Sequence, residues 1–318
     1  MVFIGPYKLR NPILLAPMAG ITDRPFRELA WRFGVGYVVS EMLGAKGELW
    51  DTEKSRLRRA VSAAIEPRAV QIAGADPLEV AEAARRHVDD GAQIIDINFG
   101  CPAKKVCRKA AGSQLLREPD LVAAIVRATV AAVAVPVTVK MRTGWSPEMK
   151  NAGDIAHRLQ EEGVAAVTVH GRTRACRFAG EAEHDTVAAI KSRLRIPVFA
   201  NGDICTPAEA RTVLARTGVD GVMVGRAALG APWLPGMMAD PGRREPSLAE
   251  KWSIMAGHVA AMHDFYGAGR GLRVARKHVQ WYLAGMAADV ALARAFNRLE
   301  EAAAQLDWLS AVGTRAAA

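Results

Sequence analysis

Short apolar runs rich in β-branched residues recur along the first three quarters of the chain, and segments with helical periodicity separate them. Each run is continuously hydrophobic rather than alternating, which is typical of parallel strands covered on both faces. The eight predicted strands span residues 13–16, 37–41, 69–72, 94–98, 137–141, 166–170, 198–201 and 221–224. The clearest predicted helices between them span residues 76–90, 120–132, 151–162 and 206–217.

Eight strand–helix units over roughly 230 residues match a closed α/β barrel in both number and length. An open, doubly wound sheet is the alternative, and it would usually carry a glycine-rich dinucleotide turn after its first strand. Here the first predicted strand ends in Ala16-Pro17-Met18-Ala19-Gly20. The pattern therefore favours a (β/α)8 TIM barrel over residues 1–240.

The periodicity changes after about residue 235, where four turn-forming residues, Pro235, Pro241, Gly242 and Pro246, indicate a linker. Beyond this linker, apolar residues recur at three- and four-residue steps, and no strand-like run occurs. The sequence predicts a small all-helical domain of three or four helices over residues 246–318.

Composition adds a charge argument to this picture. Half of the residues are hydrophobic and 24% are charged, which excludes a disordered chain. Lys and Arg together number 42 against 33 for Asp and Glu, so the net charge is +9 and the pI is near 9.6. Such a surplus suggests a polyanionic partner, although alone it indicates solubility and non-specific attraction more than function.

Targeting signals and cysteine spacing indicate where the protein works. The four cysteines are scattered and form no CxxC pair, so we expect no disulfide framework, no metal site and a reducing, cytoplasmic compartment. The N-terminus lacks the pattern of a signal peptide, and the most apolar stretch, residues 121–139, contains Arg127 and Pro136. We therefore expect no membrane association.

Two loops at the predicted barrel mouth have the composition of a phosphate site. Asn201-Gly202-Asp203 and Gly225-Arg226 follow the seventh and eighth strands, the usual phosphate-binding loops of this fold. Glycine allows the backbone to approach a phosphate, and Arg226 supplies charge. The alternative is that both glycines simply turn the chain, but the barrel register favours phosphate binding.

Three further strand ends suggest a flavin. Lys140 ends the fifth predicted strand, and a cation there suits a cofactor that becomes anionic when reduced. Gln71 offers a donor and an acceptor to a flavin ring, and His170 would complete a cation cluster unless it is satisfied within the core. No dinucleotide fingerprint or P-loop occurs, so a nicotinamide cofactor would visit as a substrate.

A series of motifs spans almost the whole chain. In chain order they are APMAGITDRPFR at 16–27, QIAGADP at 71–77, DINFGCPAKKV at 96–106, VKMRTGW at 139–145, VHGRTR at 169–174, ANGDI at 200–204 and GVMVGRAALGAPWL at 221–234. This series resembles that of the tRNA-dihydrouridine synthases, in particular their bacterial B-type branch. The segment ARKHVQWY at 275–282 is similar to the helical domain of the same branch.

The resemblance implies an FMN enzyme that uses NADPH to reduce the C5–C6 double bond of a uridine in tRNA. Cys101 would then be the general acid that protonates C5 after hydride reaches C6. Asn98 would orient the base, which must leave its stack to enter the barrel mouth. The resemblance implies that FMN is tightly bound by Pro17, Met18, Ala19, Gln71, Lys140, His170, Asn201, Gly202, Asp203, Gly225 and Arg226.

Basic residues around the predicted barrel mouth and on the helical domain fit an RNA partner. Such runs are often only solvated faces, but their placement around one mouth favours a surface that follows a phosphate backbone. We expect tRNA and NAD(P)H as partners of a monomeric protein. The residues predicted to contact tRNA, besides Asn98, are Lys104, Lys105, Arg142, Arg172, Arg273, Arg276 and Lys277.

Two other functions remain open from the residues alone. One is a flavin barrel that oxidises or reduces a free pyrimidine or dihydroorotate, and the helical domain and the positive charge count against it. The other is a non-catalytic, RNA-binding regulatory protein built on a barrel. The presence of Cys101, Lys140 and the two phosphate-type loops counts against that function.

Overall fold

The computed structural model describes residues 1–50, 52–60, 62–103, 106 and 111–317. Lys104 and Lys105, both predicted to contact tRNA, lie outside the described residues. The chain begins with a small antiparallel pair, β1 (Phe3–Ile4) and β2 (Tyr7–Lys8).

A parallel sheet of nine strand segments follows, and it curls into a barrel. The order of the segments is β4-β3-β11-β10-β9-β8-β7-β6-β5, and every pairing is parallel. The segments are β3 (Ile13–Leu15), β4 (Tyr37–Val38), β5 (Leu43–Gly44), β6 (Ala69–Ala73), β7 (Ile94–Phe99), β8 (Val137–Arg142), β9 (Ala166–His170), β10 (Val198–Asn201) and β11 (Gly221–Val224).

The predicted strand at residues 37–41 is shortened to β4 and the bridge residue Val39, and β5 is a separate segment that the sequence did not predict. β4 pairs with β3, and β5 pairs with β6. A parallel bridge between Val39 and Ala69 joins the two ends of the sheet and closes the ring. The TIM-barrel fold class is thus confirmed, and the open sheet is excluded.

Helices cover the outside of the sheet. α7 begins as the sequence predicts, because Thr206 and Glu209 form a reciprocal capping box and Pro207 occupies the first turn. Asp23 and Asp76 each cap an earlier helix by accepting backbone N–H groups with the side chain, without a reciprocal partner. The helices are α1 (Arg24–Arg32), α2 (Glu53–Arg59), α3 (Pro77–Asp89), α4 (Pro119–Ala132), α5 (Ala152–Glu161), α6 (Asp185–Arg193), α7 (Pro207–Thr217) and α8 (Leu234–Ala239).

Four helices follow the linker, in agreement with the predicted helical segment. They are α9 (Leu248–Tyr266), α10 (Ala268–Gly285), α11 (Val290–Asn297) and α12 (Ala302–Ala317). Their apolar core includes Met255, Val259 and Phe296, and Trp233 from before the linker packs into the same core. The division into domains at residues 240 and 246 therefore stays a prediction. Within the described residues, no helix is both long and apolar enough to cross a bilayer.

Buried aromatic rings join these helices to the barrel. The ring of Phe26 on α1 lies 5.6 Å from that of His258 and 5.8 Å from that of His278. His258 Nδ1 is 3.1 Å from the Tyr282 hydroxyl oxygen. Burial lowers the pKa of His258 to about 3 and that of His278 well below its ordinary value. Both imidazoles are consequently neutral near pH 7.

These histidines make stability depend on pH. Below pH 6.5 the unfolded chain protonates His258 and the folded chain does not, so folding stability is lost as the pH falls toward 3. We expect His258→Gln to reduce the loss of unfolding free energy between pH 7 and pH 5 by about 1–2 kcal/mol. Urea denaturation at the two pH values measures this difference.

His157 provides the matched control, because its side chain is 44% exposed on α5 beside Glu161. His157→Gln should leave the pH dependence of the wild-type protein unchanged. Equal pH dependence in wild type and His258→Gln would contradict the assignment of His258 as a buried neutral group.

Candidate active site

A chain of buried hydrogen bonds joins β8, β7 and β6 inside the barrel and leads toward the carboxyl end of β7. Gln71 Nε2 donates to Asp96 Oδ2 over 2.7 Å, and Asn98 Nδ2 donates to Gln71 Oε1 over 2.8 Å. Thr138 Oγ1 donates to the other Asp96 oxygen over 2.6 Å. Burial raises the pKa of Asp96, although these hydrogen bonds and the charge of Lys140 oppose the shift. The network holds each amide in one orientation.

Asn98 uses this orientation to shape the loop that carries Cys101. The backbone N–H groups of Gly100 and Cys101 donate to Asn98 Oδ1 over 3.1 and 2.9 Å. Ser113 Oγ donates to the Cys101 carbonyl over 2.9 Å, and the cysteine itself is half-buried. Asn98 therefore positions the cysteine, since both ends of its amide bind within the protein. A direct contact between Asn98 and a base stays a prediction.

Lys140 on β8 is bonded to the predicted phosphate loop. Its Nζ donates to Asn201 Oδ1 over 2.9 Å, and Asn201 Nδ2 donates to the Met223 carbonyl over 2.7 Å. Burial and the charge of Arg142 lower the pKa of Lys140 to about 8, against the opposing effects of Asp96 and Cys101. The ammonium is thus held at the mouth and remains charged in most molecules at pH 7.

His170 is the last residue of β9, and the charge of its imidazole differs from the sequence-based prediction. Burial, followed by the charges of Lys140 and Arg142, lowers its pKa to about 2. The imidazole is therefore neutral, and its inclusion in a cation cluster is wrong, because the real cations beside it repel its proton. His170 Nε2 is buried and has no hydrogen-bond partner among the described residues. Such an atom requires a partner that a bound ligand would supply.

The backbone of Gly202 packs closely against this imidazole. Its φ is +116°, and an added Cβ would lie 2.7 Å from the Ala182 Cβ and 3.3 Å from His170 Nε2. A side chain at this position would be strained and would collide with Ala182. The loop after β10 therefore requires glycine here, and binding of a phosphate by its backbone stays a prediction.

The acidic and basic groups of the two phosphate-type loops are paired. The Asp203 carboxylate lies 2.6 Å from Arg172 and 3.2 Å from Arg226, and it accepts the Ala182 N–H over 2.8 Å. The Arg226 side chain is 53% exposed and so can reach an anion. A contact from Asp203 to a phosphate would use its backbone N–H, because its carboxylate is occupied and would repel the anion.

Arg142 and Arg172, predicted to contact tRNA, lie inside the protein. Arg142 donates to the carbonyls of Gly100, over 2.8 Å, and Arg177, over 2.8 Å. Arg172 donates to the Ala179 carbonyl over 3.2 Å and pairs with Asp203. Both guanidinium groups are buried, so they shape the cysteine loop and the 171–184 loop from within.

The first barrel loop contains Pro17, Met18 and Ala19, and it folds on itself. The Met18 N–H donates to Thr22 Oγ1 over 2.8 Å, and the Met18 carbonyl accepts the N–H groups of Ile21 and Thr22. Lys277 Nζ donates to the Gly20 carbonyl, so this half-buried residue binds the barrel loop while it also lines a groove with Arg270 and Arg273.

The other two predicted tRNA residues on α10 differ in exposure. Arg273 is exposed and lines a groove with Glu53 and Arg270. Arg276 is half-buried and donates to the Leu299 carbonyl over 3.1 Å. Of the two, only Arg273 is free to meet a large polyanion at the surface.

Two residues of this site were missed by the sequence analysis. Asp96 is a lone carboxylate within an apolar strand, and its two-residue spacing from Asn98 places both on one face. Phe178 is a 53% exposed aromatic, with the guanidinium carbons of Arg142 and Arg226 lying 5.5 and 4.9 Å from its ring centre. Phe178 could have been found in the sequence as a large aromatic residue within a polar loop.

Known proteins resemble this chain over nearly its full length. Residues 14–317 match the protein family described as Dihydrouridine synthase (Dus). A protein named tRNA-dihydrouridine synthase B from Proteus vulgaris is 53% identical over 313 residues, which cover 97% of each chain. The protein of the same name from Escherichia coli K12 is 52% identical over 313 residues, which cover 97% of this chain and 98% of that one.

A solved structure supports the fold. Histamine dehydrogenase from Rhizobium sp. 4-9 superimposes with a TM-score of 0.58 at 15% identity, over 81% of this chain and 50% of that chain. At this identity the similarity concerns the barrel architecture alone. The family match and the identity to the relatives over almost the whole chain go further: this chain belongs to the dihydrouridine synthase family.

Proposed function

We propose that this protein is a cytoplasmic, flavin-dependent tRNA-dihydrouridine synthase, which reduces the C5–C6 double bond of a uridine in tRNA with FMN as cofactor and NADPH as reductant. The observation that carries the proposal is the Cys101 loop, which Asn98 and Ser113 fix at the barrel mouth. The side chain of Cys101 interacts electrostatically with the Lys140 ammonium. A general acid requires this kind of placement.

The residues present fit a flavin. The partnerless Nε2 of His170, the bare backbone of Gly202 and the exposed Arg226 offer a hydrogen bond, close backbone approach and charge. Arg226 and the backbone of residues 202–203 and 225–226 would hold the phosphate, and Lys140 would face the ring edge that becomes negative. Pro17, Met18 and Ala19 would lie against the ring. When bound, FMN supplies the hydride that NADPH delivers.

The protein's own chemical contribution is a proton. Hydride addition at C6 of uracil leaves negative charge that is resolved when C5 takes a proton, which the Cys101 thiol donates. Lys140 and Arg142 act electrostatically on Cys101, and their charges stabilise the thiolate that remains after transfer. Solvent then returns a proton to the sulfur.

Charge and shape favour tRNA over a free base. Arg270 and Arg273 line a groove between α2 and the junction of α9 and α10, where an RNA phosphate can be bound. A free pyrimidine needs neither this groove nor the additional helices. The test is to mix FMN-loaded protein, NADPH and an unmodified tRNA transcript and measure dihydrouridine by mass spectrometry. Equal reduction of free uridine would favour the dehydrogenase of free pyrimidines, and no reduction of either would contradict the proposal.

Arg226→Ala should weaken FMN binding by about ten- to a hundredfold, because a charge-assisted contact worth about 1.5–3 kcal/mol is lost. Quenching of FMN fluorescence on titration into the apoprotein measures the affinity. Arg216→Ala is the matched control, since Arg216 is an exposed arginine that also pairs with an aspartate, Asp185. Unchanged FMN affinity in Arg226→Ala would remove Arg226 from the phosphate site.

Cys101→Ala should lower the rate of tRNA reduction by about 10²–10⁴, the usual contribution of a positioned general acid. FMN binding and reduction of the flavin by NADPH should be unchanged, because neither requires an acid at C5. Single-turnover reoxidation by tRNA measures the step. Cys205→Ala, at an exposed cysteine, is the control. Reoxidation of Cys101→Ala at the wild-type rate would show that another group supplies the proton.

Arg273→Glu should weaken tRNA binding and reduce the dependence of the dissociation constant on salt concentration, because fewer counterions are released. The expected change in the slope of log affinity against log salt is about 1. Filter binding between low and moderate salt measures it. An unchanged slope would show that Arg273 lies outside the tRNA interface.

A further inference from the structure

The C-terminal helices contact the first barrel loop at two points that are remote in sequence. The Tyr266 hydroxyl, at the end of α9, donates to Asp23 Oδ2 over 2.9 Å across 243 residues of chain. Lys277 Nζ, on α10, donates to the Gly20 carbonyl across 257 residues. The two contacts lie at the C-terminal end of a loop that contains Pro17, Met18 and Ala19.

Both backbone polar groups of Gly20, its N–H and its carbonyl, are hydrogen-bonded. Its N–H donates to the Glu41 carboxylate, which belongs to the barrel, and its carbonyl accepts from Lys277. With φ at +76°, the residue adopts a left-handed conformation that makes the chain reverse direction just after Ala19. Each of the two partners restrains one end of the same residue, and one of them comes from the helices.

A buried charge cluster surrounds the contact. Arg27 is buried and donates to the Thr22 carbonyl over 2.7 Å and to the Ala60 carbonyl over 3.1 Å, while Arg58 lies 3.3 Å from Glu41. Asp23 and Glu41 both attract the Lys277 ammonium, although burial lowers the pKa of this lysine. The charge of Lys277 is thus directed toward the barrel.

We propose that Tyr266 and Lys277 are positioning residues for the cofactor: they hold the 17–22 loop in the conformation that binds FMN, so that the C-terminal helices form part of the flavin site. The inference rests on the proposed function, and it changes the role of Lys277 from a tRNA contact to a support of the cofactor loop. Tyr266 and Lys277 restrain the loop through their hydrogen bonds to Asp23 and Gly20.

The first test measures the affinity for FMN and the hydrogen exchange of the loop separately. Lys277→Met keeps the apolar stem and removes the ammonium, and we expect it to weaken FMN affinity about tenfold, as the loss of a hydrogen bond from a charged donor does. Fluorescence quenching on titration of FMN into the apoprotein gives the affinity. Hydrogen exchange of the peptide spanning residues 17–22, measured without FMN, should become faster because the loop loses a restraint.

Two further variants exclude a general folding defect. Lys277→Arg restores a cationic donor and should restore FMN affinity and slow exchange. Tyr266→Phe removes only the hydroxyl that binds Asp23, and it should weaken FMN binding in the same direction. Lys251→Met is the control, because Lys251 is a partly buried lysine of α9 that pairs with Glu245 instead. Its FMN affinity and loop exchange should equal those of the wild type.

Turnover with tRNA separates the two possible roles of Lys277. A defect in holding the cofactor loop is corrected by saturating FMN, so the rate of Lys277→Met should recover with no increase in the KM for tRNA. A raised KM for tRNA, with unchanged FMN affinity and unchanged loop exchange, would show that Lys277 binds RNA and would overturn the inference. Wild-type protein that binds no FMN would overturn the proposed function as well, and this outcome is recognisable before any variant is made.

Discussion

Closure of the parallel barrel brings the carboxyl ends of all its strands to one rim, and it buries the polar side chains that stand there. A polar group removed from water destabilises the fold unless it finds a partner. Thr138, Asp96, Gln71 and Asn98 satisfy one another in series from the barrel interior toward this rim, and the series ends on the backbone of the Cys101 loop. The same requirement therefore stabilises the interior and fixes the backbone of Cys101.

Positive charge predominates around this rim. Burial keeps the imidazole of His170 neutral by lowering its pKa, and the charges of Lys140, Arg142 and Arg172 act in the same direction. Backbone carbonyls accept from Arg142, and Asp203 neutralises Arg172, so that these buried cations are stable. Arg226 remains partly exposed at the edge. In the proposed function, the resulting field would attract a phosphate or a ring that gains negative charge on reduction.

The C-terminal helices meet the barrel through both apolar and charged contacts. Phe26 packs between two neutral histidines, and the Tyr266 and Lys277 contacts reach the loop that precedes the same helix, α1. RNA binding on the exposed side of α10, at Arg273, would thus occur on the helix that also supports the cofactor loop. This arrangement would connect the tRNA substrate and the cofactor of the proposed reaction through one helix.

The sequence by itself determined the barrel, the C-terminal helices and the ring of strand-end residues, because continuous apolar runs and helical periodicity depend on local residue order. The α7 cap could be predicted from Thr206 and Pro207 for the same reason. Motif spacing identified Cys101, Lys140 and the loops at Gly202 and Gly225, since the barrel register assigns each to the mouth.

Only the tertiary structure decided what these side chains contact. Charge alone made Arg142, Arg172 and Lys277 resemble RNA contacts, but the structure directs their donors to backbone carbonyls and carboxylates within the protein. The neutral state of His170 depends first on burial and then on cations from β8 and from the loop that follows β9. The bond from Tyr266 to Asp23 spans 243 residues. Exposure, protonation and such long-range contacts arise from packing between distant segments, and local sequence patterns carry no information about them.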